Sequence, residues 1–224
     1  MTIVYGVTFL GAKDQILKQL KSKYPYESFE ELSKVSIYIT KLTLDSVGDL
    51  FTAASNIKEF FKQCARIVAK CNQPMSWITP MGLPVIQPYV KDDKFDVLTS
   101  SATELKLKQH MENSTINLSK QSTAFPPNYI HSLDSTHLMF TAERMQQNGL
   151  QFASVHDSFW THACDVDKMN GFLREEFVNI YSMPLLEKLK HDLERRFPDQ
   201  NFPEIPKKGN LDLNEVLNSQ YFFS

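Results

Sequence analysis

The segment Phe152 to Trp160, Phe-Ala-Ser-Val-His-Asp-Ser-Phe-Trp, permits few local folds. It sets a charged pair, His156-Asp157, in the middle of an apolar run. An isolated carboxylate in an apolar setting is costly unless it is hydrogen-bonded, paired or bound to a metal. Phe152, Ser154 and His156 alternate with Ala153, Val155 and Asp157, which is the period of a strand. The fragments on either side predict two strands of a tight hairpin with His-Asp-Ser at its turn. Either the pair sits exposed at that turn or it has a partner.

Around this hairpin the pattern is mostly helical, and the expected fold class is α+β. Ile16, Leu17 and Leu20 share one face of a helix that ends before the break Tyr24-Pro25-Tyr26. A second helix starts near Ser28, and a longer helical stretch runs from about Val47 to Lys70. In it Lys58, Lys62, Arg66 and Lys70 recur every four residues, while Phe60, Phe61, Cys64, Ile67 and Val68 point away. The cationic stripe is either a solvated face or a track along a phosphate backbone. Gln73 to Val90 contains four prolines and one glycine, which excludes a long helix and predicts turns with short strands. Lys91 to Phe125 is polar and reads as a long loop or hairpin excursion. Pro126-Pro127 predicts a turn. A helix is then expected from Ser132–Ser135, with Leu138, Met139, Ala142 and Met145 on one side and a stop at Asn148-Gly149. Beyond the hairpin, Asp165 is a candidate N-cap for an amphipathic helix bearing Val166, Met169, Phe172, Leu173, Phe177 and Ile180. A last helix, from about Met183 to Arg196, ends before Pro198.

Composition narrows the class. The 224 residues suffice for one large domain or two smaller ones, and 42% hydrophobic content supports a packed core, rich in aromatics given sixteen Phe. A net charge of −2 argues against a free-standing nucleic-acid binder but allows local basic stripes. Cys64, Cys71 and Cys164 form no CxxC pair, so reduced, mostly buried thiols are expected. No run of about 18 apolar residues predicts a membrane span. The N-terminal Met-Thr-Ile-Val-Tyr-Gly resembles neither a signal peptide nor an Arg-rich leader and reads like the interior of a protein.

The His-Asp dipeptide alone does not choose its chemistry. A structural pair would have His156 bonded locally and Asp157 capping the turn. A zinc site from His156, His162 and Cys164 lacks a fourth ligand and the usual spacing. A triad through Ser158 lacks a glycine-framed nucleophile elbow. A carboxylate at a hairpin turn can also hold Mg²⁺ against a nucleotide, because Mg²⁺ takes hard oxygen ligands, often one or two carboxylates with phosphate oxygens.

The neighbouring words choose. Val-His-Asp-Ser-Phe-Trp-Thr-His-Ala at 155–163 resembles motif C of the single-subunit, phage-type RNA polymerases, with a Trp that looks like the mitochondrial branch. Tyr5 to Ile16 resembles the latter half of their motif B, and Trp77 to Tyr89 a further family segment. Pro126 to Leu138 resembles the stretch before motif C, and Lys208 to Ser224 the family's C-terminal end. The resemblance implies a right-hand polymerase architecture: a fingers-type portion at 1–130, including the excursion at about 91–125, and a palm-type portion at 131–224. It implies DNA-directed RNA synthesis in the mitochondrial matrix. The partners it implies are DNA template, RNA product and ribonucleoside triphosphates, with mitochondrial transcription factors as further candidates. Asp157 would be a ligand of two catalytic Mg²⁺ ions. His156 would lie against the priming end of the RNA or serve packing. Tyr5 would help to discriminate ribose, or be a buried aromatic at a helix start. Gly6 would allow close backbone approach to the template base, His131 would contact the hybrid's minor groove, and 91–125 would match the loop that reads promoter DNA.

The same resemblance implies that something is supplied from elsewhere. The family's second metal-binding aspartate, in motif A, and the first half of motif B lie upstream of the part that Met1 begins. The expectation is therefore a C-terminal portion of a longer polymerase, inactive by itself, with any targeting segment in the missing N-terminal part. The alternative is a non-catalytic remnant that binds nucleic acid or a partner.

Overall fold

The computed structural model describes residues 7–91, 93–98, 104–109, 115–155 and 158–222. It is a mixed α+β fold, mostly helical, with three two-stranded antiparallel sheets among the described residues. Helix α1 (Phe9–Lys23) starts at Thr8, whose hydroxyl accepts the Gly11 N–H, and α2 (Phe29–Leu50) starts at Ser28, which accepts from Glu31 N–H. The two form a helical hairpin that buries Leu17, Leu32, Ser36 and Thr40. Helix α3 (Thr52–Lys70) follows at once. The stretch expected as one helix from Val47 is thus divided: residues 47–50 complete α2, and Phe51 leaves helical geometry at φ −116°, ψ 52°.

The main core lies where α3 packs on α4 (Leu118–Gln147), with β1 (Ser76–Ile78), β2 (Pro84–Ile86) and α6 (Leu185–Arg196) closing it. Its centre is aromatic, as the sixteen Phe imply. Phe61 meets Phe125 edge-on at 5.3 Å and Tyr129 at 4.9 Å, and Trp77 meets Phe125 edge-on at 5.3 Å. The Trp77 indole N–H finds the Ser132 hydroxyl at 2.9 Å. Phe60, Phe61, Cys64 and Val68 are buried on α3 and Ile67 is half-buried, the face that the period requires.

Helix α4 overturns two expectations. It begins at Leu118, inside the segment read as excursion, and it runs straight through Pro126 and Pro127, where a turn and a later helix start were expected. Prolines 126 and 127 cannot donate to the carbonyls of Ser122 and Thr123, a cost that isolated helices do not tolerate. Here Phe125 and Tyr129, on either side of the prolines, are pinned in the aromatic core, and tertiary packing overrides local propensity. The buried face also differs: Tyr129, Ser132, Leu133, Thr136, His137, Thr141 and Met145 are buried, whereas Leu138, Met139 and Ala142 are half-buried. Thr136 and Thr141 hide their hydroxyls by bonding the carbonyls four residues back, at 2.7 and 2.9 Å. The stop at Asn148-Gly149 holds, with Gly149 at φ 66°.

Strands β3 (Asp93–Leu98) and β4 (Glu104–Gln109) pair from Asp93↔Gln109 to Leu98↔Glu104, so the excursion is a hairpin, shorter than the loop expected through Phe125. Its root is tied to the core. Lys91 N–H bonds Thr115 O at 2.8 Å, Asn117 N–H bonds Tyr89 O at 3.1 Å, and the Asn72 side chain accepts from Ile116 N–H at 3.1 Å. Beneath the root two fully buried amides interlock. Gln121 Oε1 accepts from Gln87 Nε2 at 2.9 Å and from Met75 N–H at 3.2 Å, and Gln121 Nε2 donates to Gln87 O at 2.8 Å. Asn128 Nδ2 reaches both Gln87 Oε1 and Tyr89 Oη at 3.2 Å.

The second, smaller core joins the end of α4 to α5 (Val166–Ser182), the hairpin β5 (Ala153–Val155) with β6 (Ser158–Trp160), and the C-terminal segment with α7 (Glu215–Asn218). Asp165 is the N-cap residue of α5 as expected, though its side chain makes no capping bond, and α6 ends before Pro198. Of the cysteines only Cys64 is buried; Cys71 is half-buried and Cys164 exposed, which corrects the expectation of mostly buried thiols. No helix among the described residues is long and apolar enough to cross a membrane.

Gln121→Leu removes an acceptor from two buried donors and a donor from a buried carbonyl, so it is expected to lower stability by about 3 kcal/mol. The double variant Gln87→Leu/Gln121→Leu loses less than the sum of the single changes, because both partners of the central amide pair are gone. Urea denaturation of the four proteins measures both values.

Candidate active-site hairpin and nucleic-acid surface

The register of the hairpin is Ala153↔Trp160, Ser154↔Phe159 and Val155↔Ser158. The tight hairpin expected from the alternation is therefore present, with Ser158 as the first residue of β6 rather than part of the turn. The link between the strands is His156-Asp157, which lies outside the described residues, as do Tyr5 and Gly6. What the structure defines is the mount. Ser154 and Phe159 face the protein, and Ala153, Val155, Ser158 and Trp160 are exposed. Phe152 stacks on Phe159 at 5.8 Å, and both pack against Met145 of α4 and Met169 and Leu173 of α5. Thr161 locks the strand ends, its hydroxyl donating to Gln151 O at 2.7 Å.

The platform is itself held by polar bonds between α4 and α5. His137 is buried, and its Nε2 lies 2.7 Å from Leu173 O; since a carbonyl only accepts, Nε2 carries the proton. Burial holds the imidazole below its ordinary pKa, with the Leu173 carbonyl, Asp134 and Glu176 acting in the opposite sense. Arg144 bridges the helices to Glu176 at 3.0 Å and Glu175 at 2.7 Å, and buried Glu176 also accepts from Asn179 at 3.1 Å. None of these residues was singled out from sequence for this role. The visible signal was the aromatic pair Phe152 and Phe159, four residues before His156 and two after Asp157.

The other expected site residues are distributed. His131 lies on the exposed side of α4, between buried Tyr129 and Ser132. Lys58, Lys62, Arg66 and Lys70 do share one side of α3, the first two half-buried and the last two exposed. Burial, and then the neighbouring Lys62 charge, hold the Lys58 ammonium below its ordinary pKa. Burial pushes the Cys64 thiol up to about 12, so it is a packing group without nucleophilic character. Among the described residues no group of three or more His, Cys, Asp and Glu could hold a metal ion.

The β5–β6 hairpin is thus mounted at the C-terminal end of α4, and the β3–β4 excursion is rooted near its N-terminal end. Residues 1–202 match the family DNA-dependent RNA polymerase. The whole chain is 49% identical to the chloroplastic DNA-directed RNA polymerase 3 of Nicotiana sylvestris, over 23% of that protein. It is 48% identical to the mitochondrial DNA-directed RNA polymerase 1B of Nicotiana tabacum, over 22% of it, and 46% identical to DNA-directed RNA polymerase 2A of the same plant, over 67% of it. The chain belongs to the DNA-dependent RNA polymerase family, within the phage-type single-subunit group of chloroplasts and mitochondria. It spans less than a quarter of the length of the first two of these relatives.

Proposed function

We propose that this chain is the part of an organellar, single-subunit RNA polymerase that carries one of the two metal-binding carboxylates, Asp157, at the tip of the β5–β6 hairpin. The observation that carries the reading is a full-length match to the family in which His156-Asp157 falls between two paired strands. In this reading residues 1–130 are the fingers-type portion, 131–224 the palm-type portion of a right-hand fold, and the β3–β4 hairpin reads promoter DNA. The finer assignment of compartment is the mitochondrial matrix; the relatives' names include chloroplasts as well as mitochondria.

Each residue has a defined task. The Asp157 carboxylate offers hard oxygen ligands of the kind Mg²⁺ prefers, and the second carboxylate comes from outside these 224 residues. When bound, the two Mg²⁺ ions would neutralise phosphate charge during attack of the RNA 3′ hydroxyl on the α-phosphate and departure of pyrophosphate. His156 lies against the priming end, His131 contacts the hybrid's minor groove, Tyr5 selects the ribose and Gly6 lets the template base approach the backbone. One further feature supports a shared structure. Val35, Tyr38 and Leu42 line one side of α2 with 44%, 66% and 49% of their surface exposed, an apolar stripe suited to cover by the rest of a longer polymerase.

The test uses a primed DNA template, ribonucleotides and Mg²⁺. The 224-residue chain alone is expected to extend no primer. A chimera in which it replaces the matching part of the Nicotiana sylvestris polymerase extends it, and Asp157→Ala in the chimera abolishes extension. Extension by the chain alone that Asp157→Ala removes would contradict the shared site, and an inactive but folded chimera would favour a non-catalytic remnant.

The stripe on α3 is proposed as a phosphate track. In the chimera, Arg66→Ala/Lys70→Ala is expected to weaken binding of a nucleic-acid scaffold. It is also expected to flatten the salt dependence by roughly 0.9 of a log–log unit for each duplex phosphate that the variant no longer neutralises. An unchanged slope would make the stripe an ordinary solvated face.

A further inference from the structure

The C-terminal segment returns to the hairpin platform, and a single side chain ties it there. Arg174 of α5 is half-buried, and its guanidinium spreads over the tail. Nη1 donates to Val216 O at 2.5 Å and to Ser219 Oγ at 2.8 Å, while Nε is oriented by Asn170 Oδ1 at 2.6 Å. Ser219 Oγ in turn donates to Val216 O at 3.0 Å. A carbonyl near the end of α7, a group that a helix terminus leaves without an internal donor, is thereby satisfied. The same guanidinium lies 5.3 Å from the centre of the Phe222 ring, close enough for a cation–π contact. Phe222 meets Phe177 edge-on at 5.1 Å and packs against the Met145–Met169–Leu173 core. That core is also the seat of Phe152 and Phe159, which flank the His-Asp link.

Two elements that are far apart in sequence thus share one small floor. The hairpin has only three paired residues in each strand. A hairpin so short is not stable alone and takes its position from what lies beneath it. Three residues of that floor, Met145, Met169 and Leu173, are fully or nearly fully buried, and half-buried Leu150, Phe152, Phe159, Phe172 and Phe222 pack around them. Phe222 is one of these, and it lies against both the Arg174 guanidinium and the Phe177 ring.

We propose that Arg174 is a positioning residue for the β5–β6 hairpin: by clamping α7 and Phe222 against α5 it rigidifies the floor on which strands β5 and β6 sit. Its importance for catalysis rests on the reading of Asp157 given above; the mechanical coupling does not. A lysine cannot replace it, because one ammonium lacks the planar fork that reaches Val216, Ser219 and Asn170 together while facing a ring.

Backbone amide exchange of the 224-residue protein tests the coupling, followed in three peptides: hairpin 151–162, tail 211–222, and α3 57–70 as control. Arg174→Lys and Arg174→Met are expected to speed exchange severalfold in the tail and also in the hairpin, with the control unchanged. Acceleration confined to the tail would overturn the proposal, as would no acceleration in either peptide. Should Arg174→Met also loosen the control, Phe222→Leu decides, since it keeps the guanidinium hydrogen bonds and removes only the ring: faster hairpin exchange supports the buttress and unchanged exchange refutes it. The readout needs neither metal nor nucleotide. A failed clamp therefore leaves the role of Asp157 standing, and a chimera that is inactive while the coupling persists removes the catalytic reading alone.

Discussion

The packing of Phe125 and Tyr129 into a ring of aromatic side chains keeps α4 helical across two consecutive prolines, and the rest of the structure follows from that constraint. A thirty-residue helix is about 45 Å long at 1.5 Å per residue. Its first half belongs to the aromatic core with α3, β1 and α6; its last turns, through Met145, belong to the floor under the β5–β6 hairpin. Its N-terminal end carries Gln121, whose amide fastens the root of the β3–β4 hairpin. One rigid element therefore sets the relative positions of both hairpins. Were the helix broken at Pro126, these two projections would have no fixed relation.

Local chemistry explains what was legible in the sequence. The helix start at Ser28, the stop at Asn148-Gly149, the four-residue spacing on α3 and the alternation around His156 each act within a few residues, and each is visible in the chain. The start of α4 was not, because Pro126-Pro127 locally favours a turn and only partners from α3 and β1 outweigh it. Its buried face was misjudged for a related reason. Thr136, His137 and Thr141 are polar by composition but hide their polar atoms in bonds to backbone carbonyls, so they pack as small apolar groups would. The break at Phe51 had little signal either, since the nearest glycine, Gly48, stays inside α2 and no proline marks it.

The candidate site divides in the same way. Asp157 drew notice as a carboxylate amid Val155, Phe159 and Trp160, but the dipeptide alone left a local structural pair open, and only the resemblance of the surrounding motifs pointed to a metal ligand. The residues that hold its hairpin were not recognisable. Arg144, Glu176, His137 and Arg174 act across 31 to 45 residues of sequence, and nothing in their immediate neighbours announces the contact. A family relationship covering the whole chain but under a quarter of two full-length relatives gives that division a functional meaning. The residues described around the hairpin, from α4, α5 and the C-terminal segment, all belong to this chain, and the sharing of its chemistry with residues elsewhere is the proposal.

The most direct test of that account is whether Asp157 attracts a hard divalent ion in the chain as it stands. Manganese can be titrated into the isotopically labelled protein in place of magnesium while amide resonances are followed for paramagnetic broadening. The account predicts that Val155, Ser158 and Phe159 broaden at the lowest manganese concentrations, and that Asp157→Asn removes this effect while leaving the spectrum otherwise intact. Broadening that begins instead at other carboxylates, such as Glu175 or Asp192, with the hairpin amides unaffected, would contradict it.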